Sequence, residues 1–121
     1  MKIISMFLCF ILIGCSSVTS TEEFKFLGVT TFSSKDWKDG GEELRALMIY
    51  DFLNSNHPYN TMTVEFVEDN LGKSEVYAVS DHIIAYVVKQ GRERYLISFI
   101  PETAHLTSAI RDVVIDKYPI L

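Results

Sequence analysis

The chain has 121 residues, 48% of them hydrophobic, with two cysteines and eleven basic against sixteen acidic side chains, a formal charge of −5. That length suits one domain with a substantial core and hardly two. The basic residues are scattered among acids, as in Arg92-Glu93-Arg94. The clustered cations that nucleic acid or an anionic lipid surface require are therefore missing.

Met1 and Lys2 give a short basic start, residues 3–13 are almost unbroken in apolarity, and polarity returns after Gly14 with Ser16, Ser17, Thr19, Ser20 and Thr21. A spanning helix needs about 20 apolar residues. This run is shorter and has the grammar of a cleavable signal peptide. It closes on Leu12-Ile13-Gly14-Cys15, which resembles the lipobox of bacterial lipoproteins: an aliphatic side chain three positions before the cysteine and a small residue just before it. The resemblance covers those four residues. It implies that the Cys15 thiol receives a diacylglycerol, that a signal peptidase cuts before Cys15, and that the new amino group is acylated in turn. On this reading residues 1–14 are the signal, 15–22 the lipidated cysteine and its tether, and 23–121 a single domain.

Removing 14 of the 121 residues leaves 107, with ten basic against sixteen acidic side chains, a balance of −6. Cys9 leaves with the signal and Cys15 is consumed by lipid, so no thiol remains for a disulfide or for thiol catalysis. The domain has to be held by burial, and its membrane contact falls to acyl chains, at about 0.8 kcal/mol per buried methylene. Ser16, not being aspartate, is compatible within the lipoprotein resemblance with sorting to an outer membrane facing the periplasm, where the cell has one.

Along the mature chain, residues 24–32 are rich in aromatic and β-branched side chains and predict a strand, with Gly28 as a bulge. Residues 33–41 form a polar break. Residues 42–54 predict a helix with Glu42 and Glu43 in its first turn, apolar on nearly all sides and so largely buried. Residues 54–60 read as a loop. Residues 61–68 alternate, Met62, Val64 and Phe66 against Thr61, Thr63 and Glu65, which predicts a half-exposed strand. A turn follows over 68–72, then a short strand over 75–80. Residues 83–88, continuously apolar, predict a central strand, and a turn at Gln90-Gly91 leads into 94–100 as a hairpin. Leu106, Ala109, Ile110, Val113 and Val114 fit helical spacing, so 103–117 predicts a final amphipathic helix. The expected fold is α+β, an antiparallel sheet of about five strands packed by two helices in the order β-α-β-β-β-β-α.

Chemistry-bearing motifs are sparse. His57, His82 and His105 lack the local spacing of a metal-ligand pair, and no cofactor or metal is predicted. Asp81 and His82 are sequence neighbours whose side chains on a strand point to opposite faces. Neither a nucleophile elbow nor a phosphate-cradling glycine loop is present. Residues 36–43 carry acids and glycines without the alternation of a calcium loop; Asp39 or a neighbour as a helix cap, with the glycines as a turn, accounts for them. Trp37, alone of its type in a polar loop, is either a partner-binding anchor or a ring folded over the core edge. Tyr59 in the next loop is its candidate companion.

These features favour a membrane-anchored envelope lipoprotein whose domain is a non-catalytic protein-binding module, of which an inhibitor or immunity-type protein with an acidic surface for a basic target is one form. The alternatives are a small envelope hydrolase using histidine and acid residues, and a purely structural envelope protein.

Overall fold

The computed structural model describes residues 21–74 and 83–119. They form an α+β unit: a 3₁₀ helix Glu22–Leu27, helices α1 (Ser34–Asp39) and α2 (Glu42–Ser55), a 3₁₀ turn Tyr59–Thr61, helix α3 (Val64–Leu71), and strands β1 (Ile84–Gln90), β2 (Glu93–Pro101) and β3 (Ile110–Lys117). The strands make an antiparallel meander in the order β1-β2-β3. In the described sheet the middle strand is therefore β2, and β1, expected to be central, lies at one end.

The β1–β2 hairpin follows from its sequence. Gln90 pairs with Glu93, leaving Gly91 and Arg92 as a two-residue turn. Gly91 has φ +60° and among the described residues no non-glycine residue has positive φ, the pattern of a type II′ turn with glycine first. From there the register runs to Ile84 opposite Phe99.

The third strand falls where a helix was expected. Ile100 pairs with Asp112 but Pro101 with Ile110, so Arg111 is an extra residue, a β-bulge. The bulge puts Ile110 and Val113 into the same core despite an odd spacing of three. That spacing is what imitates a helical repeat in the sequence. The rest of the supposed helix, residues 103–109, is an irregular loop, and Leu106 is exposed.

Two predicted strands are also overturned. Residues 24–32 begin as the 3₁₀ helix, in which three residues per turn place Phe24 and Leu27 on one side; both are buried. The chain then runs extended beside α2, Thr30 N–H donating to the Leu47 carbonyl at 2.9 Å and Phe32 N–H to Asp51 Oδ2 at 2.8 Å. Residues 61–68 enter α3 instead of a strand. Val64, Val67 and Leu71 are its buried residues, at the i, i+3, i+7 spacing of a helix, while Phe66 of the supposed alternating face is exposed. The expected strand over 75–80 lies outside the described residues.

Helix α2 matches its expected span, and packs against β1. Ala46, Met48, Ile49, Phe52 and Leu53 are buried, whereas Leu44 and Leu47 stay partly in solvent. The main core lies between the helices and one face of the sheet and includes Tyr86, Val88, Ile97 and Phe99. Ala85, Val87 and Leu96, facing the other way by strand alternation, form a smaller buried cluster packed by Tyr118. Thr21, assigned to the tether by its composition, is already fixed: it is buried, and its hydroxyl donates to Asn54 Oδ1 at 3.0 Å.

Gly28 shows how tightly the extended segment is laid on α2. Its φ is +140°, and a Cβ there would stand 2.8 Å from Leu47 Cδ2 and 3.0 Å from Leu47 Cα. The side chain can move, but the helix backbone cannot. We expect Gly28→Ala to destabilise the domain by about 1–3 kcal/mol, seen as an earlier midpoint in urea denaturation; an unchanged midpoint would mean that the segment is not held against α2.

Candidate functional site

Trp37 sits at the centre of a capping arrangement, not on a recognition surface. Ser33 starts α1, its side chain accepting from Asp36 N–H at 3.3 Å, and Gly40 ends it. From that one and a half turns, three side chains reach successive carbonyls at the end of α3. Lys38 Nζ donates to Asp69 O at 2.7 Å, Ser34 Oγ to Asn70 O at 2.8 Å, and Trp37 Nε1 to Leu71 O at 3.0 Å. Gly72 N–H takes the Glu68 carbonyl at 2.8 Å. All four carbonyls that a helix end leaves without partners are thus satisfied, with a lysine at the negative end of the dipole.

The indole is 0% exposed, so of the two readings of Trp37 the packed ring is the one observed and the exposed partner-binding anchor is corrected. Burying so large an apolar ring is favourable once its single N–H has an acceptor. Around it stand Phe32 at 6.3 Å, Tyr86 edge-on at 5.9 Å and the Arg45 guanidinium at 5.3 Å from the ring centroid. Arg45 Nε also donates to the Trp37 carbonyl at 2.8 Å. The expected cap by Asp39 is absent: Gly41 precedes α2 without a side-chain cap, and Asp39 pairs with Lys35 at 2.9 Å.

Tyr59 is buried too, 6% exposed, in the 3₁₀ turn that follows the cis bond between His57 and Pro58. Its ring neighbour is His57, edge-on at 5.3 Å, and its ring contact is thus not Trp37. Burial, with the charges of Glu23 and Asp112 adding to it, pushes its hydroxyl up to about 12.

A bidentate pair joins the start of α2 to the start of β2: Arg94 Nε and Nη2 donate to the two carboxylate oxygens of Glu42 at 3.0 and 2.8 Å. The Arg94 hydrogen bond, against a smaller opposing effect of desolvation, holds the Glu42 carboxyl below its ordinary range. Arg94 also lies over the Tyr118 ring at 5.3 Å. Of the histidines, His57 is half-buried beside Tyr59, His105 is exposed in the β2–β3 loop, and His82 lies outside the described residues, as do Asp81, Cys9 and Cys15. Among the described residues no three His, Cys, Asp or Glu side chains are grouped to hold a metal ion.

What the described surface does offer is apolar. Phe26, Val29, Leu44 and Leu47 are exposed beside the first turns of the fold, and Phe66 and Leu106 at the start of α3. Sequence reasoning missed these because Phe26 and Val29 were placed in a strand, and Phe66 and Leu106 on inward faces. No protein-family model, curated protein or solved structure matches the chain.

Two measurements check the buried residues. Trp37→Phe keeps a ring but leaves the Leu71 carbonyl without its donor, so stability should fall by about 1–3 kcal/mol in chemical denaturation; no loss would mean that the indole N–H is solvated. For Tyr59 the folded state favours the neutral phenol. The unfolded chain then releases this proton first, and stability falls as pH rises from 10 to about 12, by at most about 2.7 kcal/mol at 1.36 kcal/mol per unit. The alkaline loss should be smaller in Tyr59→Phe than in the parent, and equal losses would contradict the burial of the hydroxyl.

Proposed function

We propose that the protein is a membrane-anchored lipoprotein of the bacterial cell envelope, held by lipid on Cys15, and that its domain is a non-catalytic module that binds a protein partner. The observation that carries the anchor is the junction of a basic start, a short apolar run and Leu12-Ile13-Gly14-Cys15, followed at once by a serine-threonine tether. Among the described residues no helix is long and apolar enough to cross a membrane.

The binding role draws support from how the described polar groups are used. Glu42, Arg94 and Tyr59, the described groups whose titration is shifted, are each accounted for by an ion pair or by burial. Trp37 and its neighbours close a helix end. The accessible surface carries apolar side chains among a net excess of acids, a combination suited to recognising a basic protein, as an inhibitor or immunity-type module does. Ser16 after the cysteine, not being aspartate, is compatible with outer-membrane attachment facing the periplasm, where that membrane exists.

The test of the anchor is metabolic labelling with a clickable fatty acid. Wild-type protein should carry label and begin at Cys15, and Cys15→Ser should carry none. Label on neither would remove the lipoprotein reading. Crosslinking in intact cells then tests the module: one partner recovered in a complex that weakens with salt is the expected result, and enzymatic turnover by the purified protein would replace it.

A further inference from the structure

The exposed apolar side chains nearest the start of the domain lie together. Phe26 is 50% and Val29 64% exposed. Gly28 and Thr30, on either side of Val29, both meet Leu47 of α2, the first through its close approach and the second by a hydrogen bond to the Leu47 carbonyl. Leu44 stands one turn before Leu47 on that helix and is also exposed. Phe26 rests edge-on against Tyr95 at 5.4 Å, and its carbonyl accepts from Gln90 Nε2 at 2.6 Å, so this ring is presented from a fixed backbone.

Chain length sets how far this patch can stand from the anchor. Thr21 is buried and hydrogen-bonded to Asn54, so the domain is fixed from that residue onward. Six peptide steps separate it from Cys15. At about 3.5 Å per residue they span at most about 21 Å. Phe26 follows within the 3₁₀ helix Glu22–Leu27, about 10 Å further at 2.0 Å per residue. If Cys15 is acylated, this reach keeps Thr21 within about 21 Å of the bilayer and Phe26 within about 31 Å, so that the patch can settle on the interface beside the anchor.

We propose that Phe26, Val29 and Leu47 form a membrane-contact face, which rests on the bilayer interface beside the acyl anchor and sets the orientation of the domain. This inference rests on lipidation of Cys15. The charges around the patch suit a zwitterionic surface better than an anionic one: Glu22 and Glu23 precede Phe26, Lys25 pairs with Glu22 at 3.9 Å and also lies 5.8 Å from the Tyr50 ring, and the mature chain is acidic overall. Half-exposed aromatic and aliphatic side chains at the level of the headgroups are what an interfacial contact requires. The β2–β3 loop, where His105 is exposed, lies beyond the far end of β2 from Tyr95, six residues and about 20 Å along the strand at 3.3 Å per residue.

The test uses the full lipoprotein, purified after processing and inserted into vesicles of phosphatidylcholine and phosphatidylethanolamine. Once the signal is removed and Cys15 acylated, an introduced cysteine is the sole free thiol. Val29→Cys and, as control, His105→Cys are labelled with nitrobenzoxadiazole, and buried Trp37 emission confirms that each variant is folded. The expected result is a blue shift and severalfold brighter emission at position 29, quenched by doxyl-labelled lipid, with position 105 unchanged. Vesicles that carry the protein on flotation while position 29 stays water-like would overturn the contact face and leave the anchor standing; that patch would then be open to a protein partner. Equal quenching at both positions would also overturn it, because the orientation would be undefined. Protein that does not float with the vesicles and carries no fatty acid would remove the anchor itself, and this inference with it.

Discussion

The two ends of α3 are the constraint around which the fold is arranged. A helix of eight residues is too short to persist by itself in water, and each end leaves backbone groups without partners. At its start Val64 N–H donates to Ser108 O at 3.0 Å, Glu65 N–H to Leu106 O at 2.9 Å, and Phe66 N–H to Thr63 Oγ1 at 3.1 Å. At its end the last three carbonyls take Lys38, Ser34 and Trp37. Backbone from the β2–β3 loop therefore closes one end and side chains from α1 the other.

The aromatic core extends from this helix. Phe52 of α2 stacks on Phe66 at 6.0 Å, meets Phe99 of β2 at 6.3 Å and Phe32 at 4.7 Å, so helix, sheet and the extended segment share one ring. Tyr86 plays the same part from β1, edge-on to Trp37 and to Phe99 and donating its hydroxyl to the Gly72 carbonyl beyond α3. These tyrosine and tryptophan donors meet backbone acceptors at a helix terminus, where unpaired carbonyls would otherwise be buried.

What was legible in the sequence is what local physics decides. Helix α2 has strong helix formers and acids at its start, and the β1–β2 hairpin has a glycine where a positive φ is required. The residues that misled did so for identifiable reasons. Ile110 and Val113 keep helical spacing only because a bulge at Arg111 breaks the period of two. Met62, Val64 and Phe66 alternate by chance, and the flanking Thr63 and Gly72, an N-cap and a terminating glycine, were the better signal. Phe24 and Leu27, three apart, suit a 3₁₀ turn as well as a strand. Trp37 sat in a polar segment because the polar residues beside it, Ser34 and Lys38, are themselves caps. No local pattern reveals that their acceptors lie more than thirty residues away.

The sharing of α3 between distant segments bears on the order in which the structure is secured. Its sequence is local, yet its end carbonyls wait for residues 34–38 and its first amides for residues 106–108. Contacts that close such long loops carry an entropic cost that only other native contacts offset. The helix is thus completed when the first and last thirds of the described chain have both arrived, and neither third can detach without freeing polar groups at one end of it. The domain is coupled across its whole length through eight residues in its middle.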